Sequence, residues 1–192
     1  MKGIGGFVAL TVCLAMLAAP AGAQSPKTAI TGSAPFALGM STADARAADP
    51  TLAPVSTAAC AAPAPAAGYA TRVNAPIAGY PYAADLILCF AGDKLGAIYV
   101  IWSRNAFYAD TIRWQLATRA VAAQLSGGYA PGLVRRYAVD DDMGAVVELA
   151  DGQGNLLRMT SDPGYDPDIN VMYMSADYDQ AVNGKKITIT TY

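Results

Sequence analysis

Two short apolar runs, residues 86–90 and 97–102, stand directly before the longest stretch of helical periodicity in the chain. Both runs are rich in β-branched and aromatic residues and nearly free of charge, the pattern of strands covered on both faces. Between them Ala91-Gly92-Asp93-Lys94 supplies a residue tolerant of positive φ and a polar corner, so the pattern predicts a β-hairpin. The stretch 107–126 then predicts an amphipathic helix. Ile112, Leu116, Ala120 and Ala123 recur at helical spacing and Trp114, Val121 and Leu125 widen the stripe, with Arg113, Gln115, Thr118, Arg119 and Gln124 on the wet side. Asp110 suits the first turn through the helix dipole, and Gly127-Gly128 offers the left-handed conformation of a C-cap.

Around this centre the pattern is weaker. Residues 24–35 are small and polar and read as a loosely ordered, flexible lead-in. Ser41, with Asp44 three positions on, opens a short helix over 42–48 that Asp49-Pro50 stops. Residues 51–67 are Ala/Pro-rich, and Pro54, Pro63 and Pro65 recur too often for a helix, so an extended loop is expected. A first strand is expected over 68–73 and a turn region over 74–81. After the long helix, Tyr129-Ala130-Pro131-Gly132 makes a corner, and strands follow over 133–139, 145–149 and 156–160, the last two joined by the turn Asp151-Gly152-Gln153-Gly154-Asn155. Residues 162–168 form a Pro/Gly/Asp loop. Over 169–175, Val171, Tyr173 and Ser175 face one way and Met172 and Met174 the other. The tail 185–192 has strong β propensity at the end of the chain. The order predicts a single α+β domain over 36–192, an antiparallel sheet with one long and one short helix packed on one face. Its two α-then-β-meander units would be 36–104 and 105–192.

Residues 1–23 carry Lys2, an apolar core from 4 to 18 and a small-x-small end at Ala21-Gly22-Ala23, which predicts a cleaved signal peptide. Cleavage leaves Cys60 and Cys89, an even pair that in an exported chain predicts a disulfide. It also removes Lys2, leaving 12 basic residues against 15 acidic ones, a net charge of −3. That balance, without a basic cluster beyond Arg135-Arg136 and Lys185-Lys186, gives no footprint for nucleic acid or an anionic membrane surface. A periplasmic or secreted location is expected, with no membrane span after cleavage.

Phe36-x-Leu38-Gly39-Met40-Ser41, opening a short helix, is similar to the opening of small outer-membrane assembly lipoproteins and of β-lactamase-inhibitor-like α/β repeats. The later pattern Leu125…Gly128-Tyr129-x-Pro131, with strands ending in Val171-x-Tyr173-x-Ser175, resembles exported bacterial proteins of that build. The resemblance implies a binding or scaffolding module of the cell envelope rather than an enzyme. The lipobox of the lipoprotein members is absent, and the Ala/Pro insertion departs from compact members.

The chain has no histidine, which removes Ser-His-Asp and Cys-His nucleophiles, His metal ligands and the usual general base. No cofactor is expected. Asp140-Asp141-Asp142 and Asp162, Asp166 and Asp168 are hard oxygen donors of the kind calcium takes, but their spacing is not that of an EF-hand loop and suits acidic turns better. Glu148 would have to serve any carboxylate-based hydrolase and reads instead as a solvent-facing strand residue. Met172-x-Met174 with Met159 could offer soft ligands to Cu(I), against an ordinary role as core filler. Tyr80, Tyr82, Tyr129 and Tyr165 are the candidate recognition surface for an envelope protein or glycan, since tyrosine brings contact area at low entropy cost. The expected function is therefore a non-catalytic binding or scaffold protein. The alternatives are a secreted inhibitor presenting residues 74–82, a carboxylate hydrolase, or a calcium-dependent module.

Overall fold

The structure, a computed structural model, describes residues 25–56, 60, 66–75, 77, 82–107, 110–140, 144–162, 164 and 166–183. The expected signal peptide, the tail 185–192, Tyr80 and Tyr165 lie outside these residues. The architecture is α+β, as expected. One antiparallel sheet of eight strands runs in the order β3-β4-β5-β6-β10-β9-β8-β7, beside a two-stranded hairpin, β1 (Gly32–Ser33) and β2 (Phe36–Ala37). The large sheet is two meanders. β3 (Ala53–Val55), β4 (Ala66–Asn74), β5 (Ala83–Ala91) and β6 (Lys94–Trp102) form the first. β7 (Val134–Asp140), β8 (Gly144–Ala150), β9 (Leu156–Asp162) and β10 (Asp166–Met174) form the second. They abut through β6 and β10, which pair antiparallel with Val100 opposite Val171. A helix precedes each meander: α1 (Thr42–Ala48) the first, α2 (Thr111–Gly128) the second.

Local chemistry explains the elements. Ser41 caps α1 by accepting a hydrogen bond from the Asp44 N–H at 3.1 Å, and its hydroxyl donates to the Asp44 carboxylate. Asp110 caps α2, its carboxylate accepting from the Arg113 N–H at 3.1 Å. Gly92 turns the β5–β6 hairpin at φ +62°, a conformation most side chains resist. Alternation then sorts each strand. Leu86, Leu88 and Phe90 of β5, Ile98, Val100 and Trp102 of β6, and Val147 and Leu149 of β8 join the core beneath α1 and α2. Cys89, Ala97 and Met174 face the other way.

Several expectations are corrected. The face of α2 is the first: it buries Trp114, Ala117, Thr118, Val121, Ala122 and Leu125, while Ile112 and Leu116 are 68% and 60% exposed. Alanine on most sides gives this helix little contrast, and Ala117 and Ala122 let it sit close on β8 and β7. Gly127-Gly128 is not a left-handed cap either. The helix runs through Gly128 and ends at an extended Tyr129, and the Gly128 carbonyl accepts from the Lys27 N–H at 2.9 Å. The lead-in that should have been flexible therefore closes the helix end. Ile30 is buried, and its N–H donates to the Asp151 carboxylate at 2.9 Å. Within the expected loop 51–67, β3 pairs with β4 as an edge strand, the position in a sheet where a proline such as Pro54 is tolerated.

A third helix, α3 (Ala176–Asn183), was not expected, and it packs on the face opposite α1 and α2. Ser175-Ala176-Asp177-Tyr178 is its start: Ser175 Oγ accepts from the Tyr178 N–H at 3.3 Å, and Asp177 and Asp179 favour the first turn. Read along the strand, Ser175 continued the alternation and hid the cap.

A candidate binding groove beside α3

Among the described residues, the face of the sheet away from α1 and α2 is covered only in part. Cys60 and Cys89 lie at disulfide distance, Cα–Cα 5.4 Å and both fully buried, which sets Cys60 against β5. α3 lays Tyr178 beside them, its hydroxyl donating to the Cys60 carbonyl. Room for the ring comes from β6. Pairing of Cys89 with Ala97 and of Phe90 with Leu95 leaves Gly96 as a bulge residue, and a Cβ on Gly96 would overlap the Tyr178 ring. At eight residues α3 is about 12 Å long, and it contacts β6. Three strand spacings, roughly 14 Å, separate β10 from β7 across the same face. One short helix cannot cover both.

What is left open is a groove of about 440 Å3. Its apolar lining comes from Tyr99 on β6, Met172 and Met174 on β10, Leu156 on β9 and Val182 on α3. Arg135 on β7, Glu148 on β8, Arg158 on β9 and Asp179 on α3 supply the charged groups. Glu148 and Arg158 are cross-strand partners, with Arg158 Nε 3.2 Å from Glu148 Oε1. Tyr99 is hydrogen-bonded to Tyr178. Burial raises the Tyr99 phenol above its ordinary range and raises Tyr178 as well. Both phenols therefore stay neutral near neutral pH. The lining offers apolar contact, one neutral phenol and charges of both signs, at a volume within the ordinary range for ligand sites.

The residues singled out in the sequence are distributed otherwise. Tyr129 does not stand on the surface as expected: it is buried at the C-terminal end of α2, its hydroxyl hydrogen-bonded to Tyr173, with Lys27 Nζ 5.5 Å from the ring centre. Tyr82 is half-buried and packs on Phe107 at 4.6 Å between ring centres. Asp141 and Asp142 lie outside the described residues, and the Asp162 and Asp168 carboxylates are engaged by backbone N–H groups. Asp162 accepts from the Gly164 N–H within its own turn, and Asp168 accepts from the Arg104 N–H at 2.7 Å. Asp166 stands opposite Asp162 in the β9–β10 register. Among the described residues no group of three or more acidic or cysteine side chains could hold a metal ion. The methionine trio is split by the sheet. Met159 stands opposite Val171 and is buried in the core under α2, whereas Met172 and Met174 face the groove. Most of the inhibitor-type loop 74–82 lies outside the described residues, and Ile77 within it is buried. Leu156, Arg158 and Val182 were missed. The alternation in 156–160 separates Leu156 and Arg158 from Leu157 and Met159, but only the strand order sets them beside Met172.

Compared with known proteins, the chain matches no family model, no curated protein and no solved structure. No helix among the described residues is long and apolar enough to cross a membrane.

Proposed function

We propose that the protein is an exported, non-catalytic binding module of the bacterial cell envelope, and that the groove beside α3 takes an amphiphilic segment, a short peptide or an acyl chain. The observation that carries this reading is an apolar floor of Met172, Met174, Leu156 and Val182 with charges of both signs around it. Methionine suits such a site because its unbranched side chain adapts to varied apolar partners. The proposed export rests on the leader-like residues 1–23 and on two cysteines at disulfide distance. With no histidine in the chain and Glu148 engaged by Arg158, the groove is suited to holding a ligand, with no cofactor, rather than to proton transfer. Calorimetric titration with amphipathic peptides and acyl-chain detergents below micelle concentration tests the reading. Binding by the wild type that Met172→Asp abolishes, with folding intact by circular dichroism, is the expected result. Absence of heat with every amphiphile, or equal binding by Met172→Asp, would contradict it.

A further inference from the structure

The two edges of the sheet differ. β3 is three residues long and carries Pro54, a poor template for another strand. β7 is seven residues long, and among the described residues only β8 pairs with it. Its side chains Arg135, Arg136, Tyr137, Ala138 and Asp140 are all exposed. Among the described residues the large apolar side chains that stand exposed, Ile112, Leu116 and Tyr137, belong to β7 and to α2, the helix packed on β7 and β8. Such an edge presents outward backbone groups that no described strand pairs, together with apolar surface, the combination that other edges suppress.

The sequence of β7 says what fits it. Arg135-Arg136-Tyr137-Ala138-Val139-Asp140 runs from positive to negative around Ala138. We propose that β7 pairs antiparallel with β7 of a second copy of this chain, with the two-fold axis at Ala138. Outward-pointing peptide groups belong to alternate residues, so a two-fold antiparallel pair must place its axis at a residue rather than between two. An axis at Arg136 stacks that arginine on its own copy. An axis at Tyr137 sets Arg136 against Ala138, and one at Val139 sets Asp140 against Ala138. Only the axis at Ala138 puts Arg136 opposite Asp140, and Tyr137 opposite Val139, each twice. Within one chain the same row already alternates in sign. Arg158 stands opposite Glu148 and Glu148 opposite Arg136, so the next place calls for an acid, which Asp140 of the second copy fills. The interface is isologous and closes at two copies. Because the axis is perpendicular to the sheet, both α3 grooves lie on one face of the joined sheet.

Sedimentation velocity of the purified chain over a range of concentrations tests this, with circular dichroism melting as the control for folding. The wild type should pass from monomer to dimer, more weakly at high salt. Asp140→Lys and Arg136→Glu should each raise the dissociation constant about tenfold or more, because like charges then face each other. An equimolar mixture of the two variants restores opposite charges at both contacts and should dimerise again. A chain that stays monomeric throughout would overturn the proposal. So would a dimer indifferent to both substitutions, or a mixture that fails to recover the dimer each variant lost.

Discussion

The two faces of the sheet solve the problem of covering strands differently. On one face α2, eighteen residues long, seals β8 and β7 with Trp114, Val121 and Leu125, and α1 and the β1–β2 hairpin extend the same core. On the other, a cysteine pair and Tyr178 form a small plug over β5, β6 and β10, and among the described residues the groove takes up the rest of the face. The first face is made by continuous burial of large side chains and the second by a cysteine pair at disulfide distance with little apolar area. Stability should therefore concentrate on one side of the sheet and accessible surface on the other.

The largest effect expected from this contrast lies within α2 itself. Trp114→Ala should cost about 3–5 kcal/mol, as truncation of a fully buried aromatic does, while Leu116→Ala should stay within about 0.5 kcal/mol. Chemical denaturation measures both, and equal losses would mean that the helix packs by a different face. On the second face, reducing the Cys60–Cys89 pair, which closes a separation of 29 residues, should cost about 3–4 kcal/mol by release of chain entropy. A melting curve unchanged by reductant would show that the plug does not depend on the pair.

A smaller effect is expected where the lead-in is tied to the β8–β9 turn. Burial pushes the Asp151 carboxyl up. The N–H groups of Ile30, Asn155 and Gln153, with the Asn155 side-chain amide, hold it nonetheless below its ordinary value. A group depressed in the folded state contributes stability that is full above its unfolded value, about 3.9, and is lost as pH falls through the lower folded value. Asp151→Ala should cost about 2 kcal/mol at neutral pH and flatten the acid limb of the stability curve in this window. An unaltered acid limb would show that the carboxylate does not hold the lead-in.

Local signals were readable from the sequence, and relations between elements were not. Ser41 with Asp44, Gly92 and the turn at Asp151-Gly152-Gln153-Gly154-Asn155 each act within a few residues, and the α+β order follows from them. The face of α2 depends on which of its alanines meet the sheet. The end of that helix depends on Lys27, a hundred positions away in the chain. The groove shows the limit most clearly. Met172 and Met174 could be placed on one face, but the strand order carried Met159 to the other and brought Arg158, Glu148 and Val182 alongside.

That division of the methionines provides the most direct measurement. With methyl-labelled methionine, NMR spectra of the protein titrated with an amphipathic peptide or acyl chain report both faces at once. Shifts at Met172 and Met174 that saturate, with Met159 unmoved, are the result predicted for a ligand held on the open face. Saturating shifts at Met159 with Met172 and Met174 unchanged would place the ligand under α2 and contradict the account.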